Sequence, residues 1–118
     1  METTSTPQPV QLFVKIDDFK KLKLVVAQIK EAKLHPNADK LYVLQVDTGK
    51  DIRQVVAGIR SAYTLEQLVG RRVIMISNLE PATIRGEQSN GMVLAASDEG
   101  GPCLLSLERN LAPGSVVK

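Results

Sequence analysis

Few side chains in this sequence are of a type that performs covalent chemistry, and they stand far apart along it. The sole histidine, His35, precedes a proline, and the sole cysteine, Cys103, lies far along the chain in a short apolar run. A Cys–His dyad needs hydrogen-bond reach and a third, orienting group, which spacing cannot establish. Cys103 reads instead as a small buried hydrophobe. The adjacent carboxylates Asp17 and Asp18 stand where a helix would begin, and there they complement its dipole. No HExxH, CxxC, Walker A or GxSxG pattern occurs. Neither a catalytic centre nor a metal site or cofactor is therefore expected.

Side chains suited to holding a polyanion are better placed. Lys30, Lys33 and Lys40 flank the loop His35-Pro36-Asn37-Ala38-Asp39. They either meet phosphates at one end of the fold or are simply solvated loop charges. The segment Ile84-Arg85-Gly86-Glu87-Gln88-Ser89-Asn90-Gly91-Met92 is bracketed by glycines that let the backbone turn and approach a ligand closely. Arg85 offers a fork for phosphate and Ser89 a small donor. The plainer reading of the same segment is a flexible loop entering a core strand, with Met92 as packing. Phe13, Phe19, Tyr42 and Tyr63 are the only aromatics, too few for a protein that stacks several bases. What remains for RNA is recognition of a folded backbone by shape.

The elements that must position these residues are mostly strands. Ile16 to Leu22, with acids early and bases late, predicts one or two helical turns. Leu24 to Leu34 alternates with Val25, Ala27 and Ile29 on one face, then slips parity to Ala32 and Leu34, which predicts a β-bulge near Lys30 and a bent strand. Leu41–Val46 and Ile52–Ala57 read as strands joined by a hairpin-like turn. Thr64 to Gln67 has capping-box spacing, with Gly70 placed to end a short helix. Arg72–Ile76, Gly91–Ala96 and Cys103–Leu107 read as further strands. Three strands, a helix, then more strands fits an all-β OB-fold, a five-stranded Greek-key barrel with a short helix between strands 3 and 4. An open β-sandwich is the rival.

With 118 residues the chain is one domain long. Residues 1–15 read as a flexible tail or linker and 16–118 as the folded domain. The charge divides unevenly, with twelve basic against seven acidic residues between 15 and 72, and three against five from 73 onward. This permits a basic face without requiring one. No apolar run approaches the roughly 18 residues that span a bilayer, and no signal peptide is evident, so a cytoplasmic protein without membrane contact is expected.

The blocks His35-Pro36-Asn37-Ala38-Asp39-Lys40-Leu41, Gln45-Val46-Asp47, Gln54-Val55-Val56-Ala57-Gly58-Ile59, Asn78-Leu79-Glu80-Pro81 and Arg85-Gly86 with Ser89-Asn90-Gly91-Met92 occur here in one order. Together they resemble the tRNA-binding domain family, which includes the C-terminal appendix of methionyl-tRNA synthetase and free-standing tRNA-binding proteins. The likeness runs from about Ile16 to Lys118. It implies an OB-fold that binds tRNA at the outer corner of its L, without reading an anticodon and without catalysis. It also implies a homodimer whose interface uses the N- and C-terminal segments outside the barrel, and possible attachment to a synthetase catalytic chain. The apolar content of Arg71–Ile76 and Cys103–Leu107 agrees with a partnered surface. Carried over residue by residue, the resemblance implies phosphate contacts from Lys40 and Arg85, with Lys33 beside them. It gives Ser89 a hydrogen bond to the RNA backbone or a 2′-hydroxyl, Met92 a packing role at the base of the site, and Asn37 a place in the same loop. Ala82-Thr83 stands where many relatives carry a basic residue, which bears on the strength of RNA binding. The alternative function is a chaperone-like module that uses an apolar groove for peptides.

Overall fold

A computed structural model describes residues 12–118, so most of the expected tail lies outside the described residues. A single helical turn, α1 (Ile16–Phe19), precedes the first strand, β1 (Leu24–Leu34). The parity slip in β1 is a bulge: Ile29 faces Val46 and Glu31 faces Gln45 across the neighbouring strand, with Lys30 left over. The bulge lets one strand serve two sides of a barrel. Leu24–Gln28 pairs with β4 (Arg72–Ile76), and Gln28–Leu34 pairs with β2 (Tyr42–Asp47). β3 (Ile52–Ala57) completes an antiparallel meander with β2.

Between β3 and β4 lies the short helix α2 (Leu65–Leu68). Its capping box is formed: Gln67 N–H donates to Thr64 Oγ1 and Thr64 N–H donates to Gln67 Oε1 at 2.8 Å. Such a cap contributes about 1 kcal/mol to a helix too short to stand alone. Leu68, fully buried, plugs the barrel. The core around it comprises inward residues of the strands, among them Ala27, Ile29, Leu44, Val46, Val55, Val73 and Met75.

The chain after β4 departs from the expected pattern. Residues read as loop form a hairpin, β5 (Ala82–Ile84) with β6 (Glu87–Ser89). The strand expected over 91–96 is split. β7 (Met92–Val93) pairs with β4, Leu94 bonds Ile74, and β8 (Ala95–Asp98) then leaves to form an outer hairpin with β9 (Gly101–Leu104). The last expected strand is accordingly shifted to an earlier register, and Cys103, on the outside of that hairpin, is exposed rather than buried. The sheet order β3-β2-β1-β4-β7, with β6 and Asn90 meeting β3, gives the nearly closed five-stranded OB-type barrel. Asn90 N–H donates to Gln54 O at 2.8 Å, and Val56 N–H donates to Ser89 Oγ at 3.0 Å, so a side chain completes the closure.

The apolar excess of β4 is resolved within the chain. Ile74 faces away from the core cluster yet is 7% exposed, and its partner Val26 is 1% exposed. The C-terminal segment returns to this strand pair. Arg72 Nε donates to Leu111 O, Val26 N–H to Ser115 O and Gly114 N–H to Val26 O, and β10 (Val116–Val117) pairs with Leu24 and Val25. The hydrophobicity of β4 thus needs no second molecule.

Candidate functional site

The hairpin β5–β6 folds toward the loop between β1 and β2, and the two are fastened at the end of the barrel. Its turn, Arg85-Gly86, has positive φ at both positions, 52° and 94°. This is the primed geometry whose twist matches paired strands. A residue with a side chain is disfavoured at the first position, so Arg85 sits there at a conformational cost. Its guanidinium Nη2 donates to Asn37 O at 3.1 Å, and Asn37 Nδ2 donates back to Arg85 O at 3.4 Å. One residue earlier, Ile84 O lies 3.0 Å from His35 Nε2. The loop itself is closed by His35 N–H on Leu41 O at 3.2 Å.

Of the residues expected at the site, Asn37 and Arg85 are brought into direct contact, and both are exposed. Lys40 is exposed in the same loop, and Lys33 is exposed near the end of β1, opposite Val43. Ser89 is different: it is 4% exposed, and its hydroxyl accepts from Val56 N–H while donating to Gly91 O. A hydroxyl engaged twice inside the protein holds the hairpin on β3 rather than reaching outward. Met92 is half-exposed on β7, opposite Ile76, and is not core packing. Two residues went unread in the sequence, His35 as a link and Gln54, whose amide donates to Gln88 O at 2.9 Å and accepts from Gln45.

The aromatics near this end are occupied. Tyr42 is buried with its hydroxyl on Tyr63 O at 2.7 Å, and the Tyr63 ring lies under the Arg71 guanidinium, 5.1 Å from the ring centroid. No grouping of His, Cys, Asp and Glu suited to a metal ion occurs among the described residues, and no helix there is long and apolar enough to cross a membrane.

Where β1 begins, the surface has another character. A groove of about 910 Å³ runs between α1 and β10, walled by Ile16, Phe19, Leu22, Val25 and Val116. Ile16 and Val116 are 64% and 71% exposed. Lys20, Lys23, Lys50 and Lys118 rim it. Arg53 on its wall pairs with Asp51 at 3.2 Å. The Thr48 hydroxyl, first, and the Arg53 guanidinium hold the Asp51 carboxyl below its ordinary value.

Comparison with known proteins finds relatives of the whole domain. The family model described as "Putative tRNA binding domain" matches residues 24–116. A methionine–tRNA ligase of Pyrococcus horikoshii is 46% identical over 106 residues, which is 90% of this chain and 15% of that protein. The chain therefore spans a small fraction of the ligases it matches. The crystal structure of a MetRS related protein from Pyrococcus horikoshii superposes with a TM-score of 0.85 at 30% identity, over 92% of this chain and all of that one. The structure of chaperone CsaA from Bacillus anthracis gives a TM-score of 0.82 at 25% identity, over 91% of this chain and all of that one.

Proposed function

The chain belongs to the tRNA-binding domain family, and from that premise we propose that it binds tRNA by the shape of its folded backbone, at the outer corner, independently of sequence. The observation that carries this reading is the fastened pair of loop and hairpin, which presents Arg85, Lys40 and Lys33 on one end of a rigid barrel. Rigidly mounted cations suit phosphates, whose contacts set position without reading bases. Base stacking has little to work with there, because Tyr42 is buried and the Tyr63 ring is covered by Arg71. The domain itself performs no catalysis. It serves as a C-terminal appendix of a methionyl-tRNA synthetase or as a free-standing equivalent in the cytoplasm, and it works as a homodimer joined through the groove of α1 and β10. Ile16, Phe19, Leu22 and Val116 supply that face with apolar surface that the rest of the described residues leaves exposed.

The test is competition binding of unfractionated tRNA against duplex DNA and single-stranded RNA across a salt series. Three phosphate contacts per site give a slope of log K against log salt of about −3. tRNA preference with that slope is expected. Equal affinity for all three polyanions would remove shape recognition, and no binding at low salt would remove tRNA. The second reading, a chaperone-like module, is favoured by the same open groove. It predicts binding of apolar peptides that salt leaves unchanged and that tRNA does not displace.

A further inference from the structure

His35 is buried to 4% exposure although it belongs to a surface loop. Both ring nitrogens are committed. Asn37 N–H donates to Nδ1 at 3.0 Å, so Nδ1 carries no proton, and Nε2 is the nitrogen that donates to Ile84 O. The imidazole is thus a strut between two segments 49 residues apart. Its two contacts fall beside the working residues. Ile84 immediately precedes Arg85, and Asn37 is the residue whose carbonyl receives the Arg85 guanidinium. Arg85 occupies a backbone conformation, φ 52°, that its side chain disfavours. The turn therefore needs external support to keep Arg85 where it is, and His35 and Asn37 grip the two successive carbonyls of Ile84 and Arg85.

We propose that His35 is the positioning residue of the tRNA site, acting through Arg85: it locks loop 35–41 and hairpin 82–89 into one arrangement before RNA arrives. This rests on the tRNA reading and adds that the site is ordered in advance, by a side chain that never touches the ligand. An anchored guanidinium loses less freedom on binding than a free one. His35 should therefore affect affinity without changing the number of phosphates met.

The experiment is a double-mutant cycle on the full chain, with unfractionated tRNA as the probe and amide hydrogen exchange as the structural readout. His35→Ala is expected to raise the Kd about 3- to 10-fold with an unchanged salt slope, and to speed exchange at Asn37 and across residues 84–88. Arg85→Ala reduces the slope by about one. In the Arg85→Ala background, His35→Ala should cost nothing further, because the residue it positions is gone. Rescue is expected from His35→Gln, whose amide can still donate to Ile84 O. Equal losses in both backgrounds would overturn the role of His35, as would unchanged exchange in the hairpin. If His35→Ala does not fold, His35→Asn carries the cycle, because its shorter amide can reach Asn37 N–H but not Ile84 O; wild-type affinity in His35→Asn would also overturn it. A wild-type chain that binds no tRNA would sink the proposed function itself, an outcome distinct from failure of the cycle.

Discussion

The two ends of the barrel solve opposite problems. Where β1 ends, the chain satisfies its own groups: Asn37, Arg85, His35 and Ser89 are cross-linked by hydrogen bonds, and the charges that remain point outward. Where β1 begins, α1 and β10 leave Ile16 and Val116 open around a groove that none of the described residues fills. A polar site finished internally is ready for a soluble, charged ligand, whereas an apolar one left open is finished by another surface. On the proposed reading the two ends take different partners, RNA at one and a second protomer at the other.

The largest expected effect comes from breaking the finished end at its base. Gly91 has φ 141°, and a Cβ there would meet the Met75 side chain and lie 3.0 Å from Ile76 O. Gly91→Ala should cost about 3 kcal/mol or more, from strain plus overpacking beside β4. Chemical denaturation measures it, and a loss under about 1 kcal/mol would show that the hairpin relaxes freely.

An intermediate effect is expected at the open end. Phe19→Asp with Val116→Asp should convert dimers to monomers in analytical ultracentrifugation, while tRNA binding per protomer and the far-UV spectrum stay unchanged. Dimers that persist would move the interface away from the groove.

How far each end could be read in the sequence follows from the same contrast. The bulge near Lys30, the capping box at Thr64 and the strands β1 to β4 were legible because each rests on neighbours in sequence, by parity or by a three-residue spacing. The hairpin β5–β6 was not, because three-residue strands carry too little alternation and Arg-Gly is not the usual primed-turn pair. Nor was the link from His35 to Ile84, which exists only after folding. The role of Ser89 was misleading for a related reason: a small hydroxyl in a glycine-flanked segment looks the same whether it faces a ligand or Val56 N–H. The apolar excess of β4 pointed to a second protomer because its cover, the segment through Leu111 to Ser115, arrives from the far end of the chain.

The smallest effect belongs to Asp51, at the groove's edge. Its pKa is lowered in the folded state, chiefly by the Thr48 hydroxyl and then by Arg53. Its contribution is therefore fully present above the unfolded carboxylate value and fades as pH falls through the lower folded one. Because Asp51 is exposed, the loss is small. Asp51→Asn should flatten the acid limb of a stability-against-pH curve slightly and leave neutral pH nearly unaltered; an unaltered acid limb would remove Asp51 from that transition.

The pairing of Leu24 with Val117 and of Val25 with Val116 also sets a timetable. The meander β1–β2–β3 closes over short loops and can form while the chain is still being synthesised. The outer edge of β1 waits until residues 116–117 have left the ribosome. Until then the backbone groups of Val25 and Val26 and the apolar surface around them lack this cover, a strand edge open to pairing with another chain.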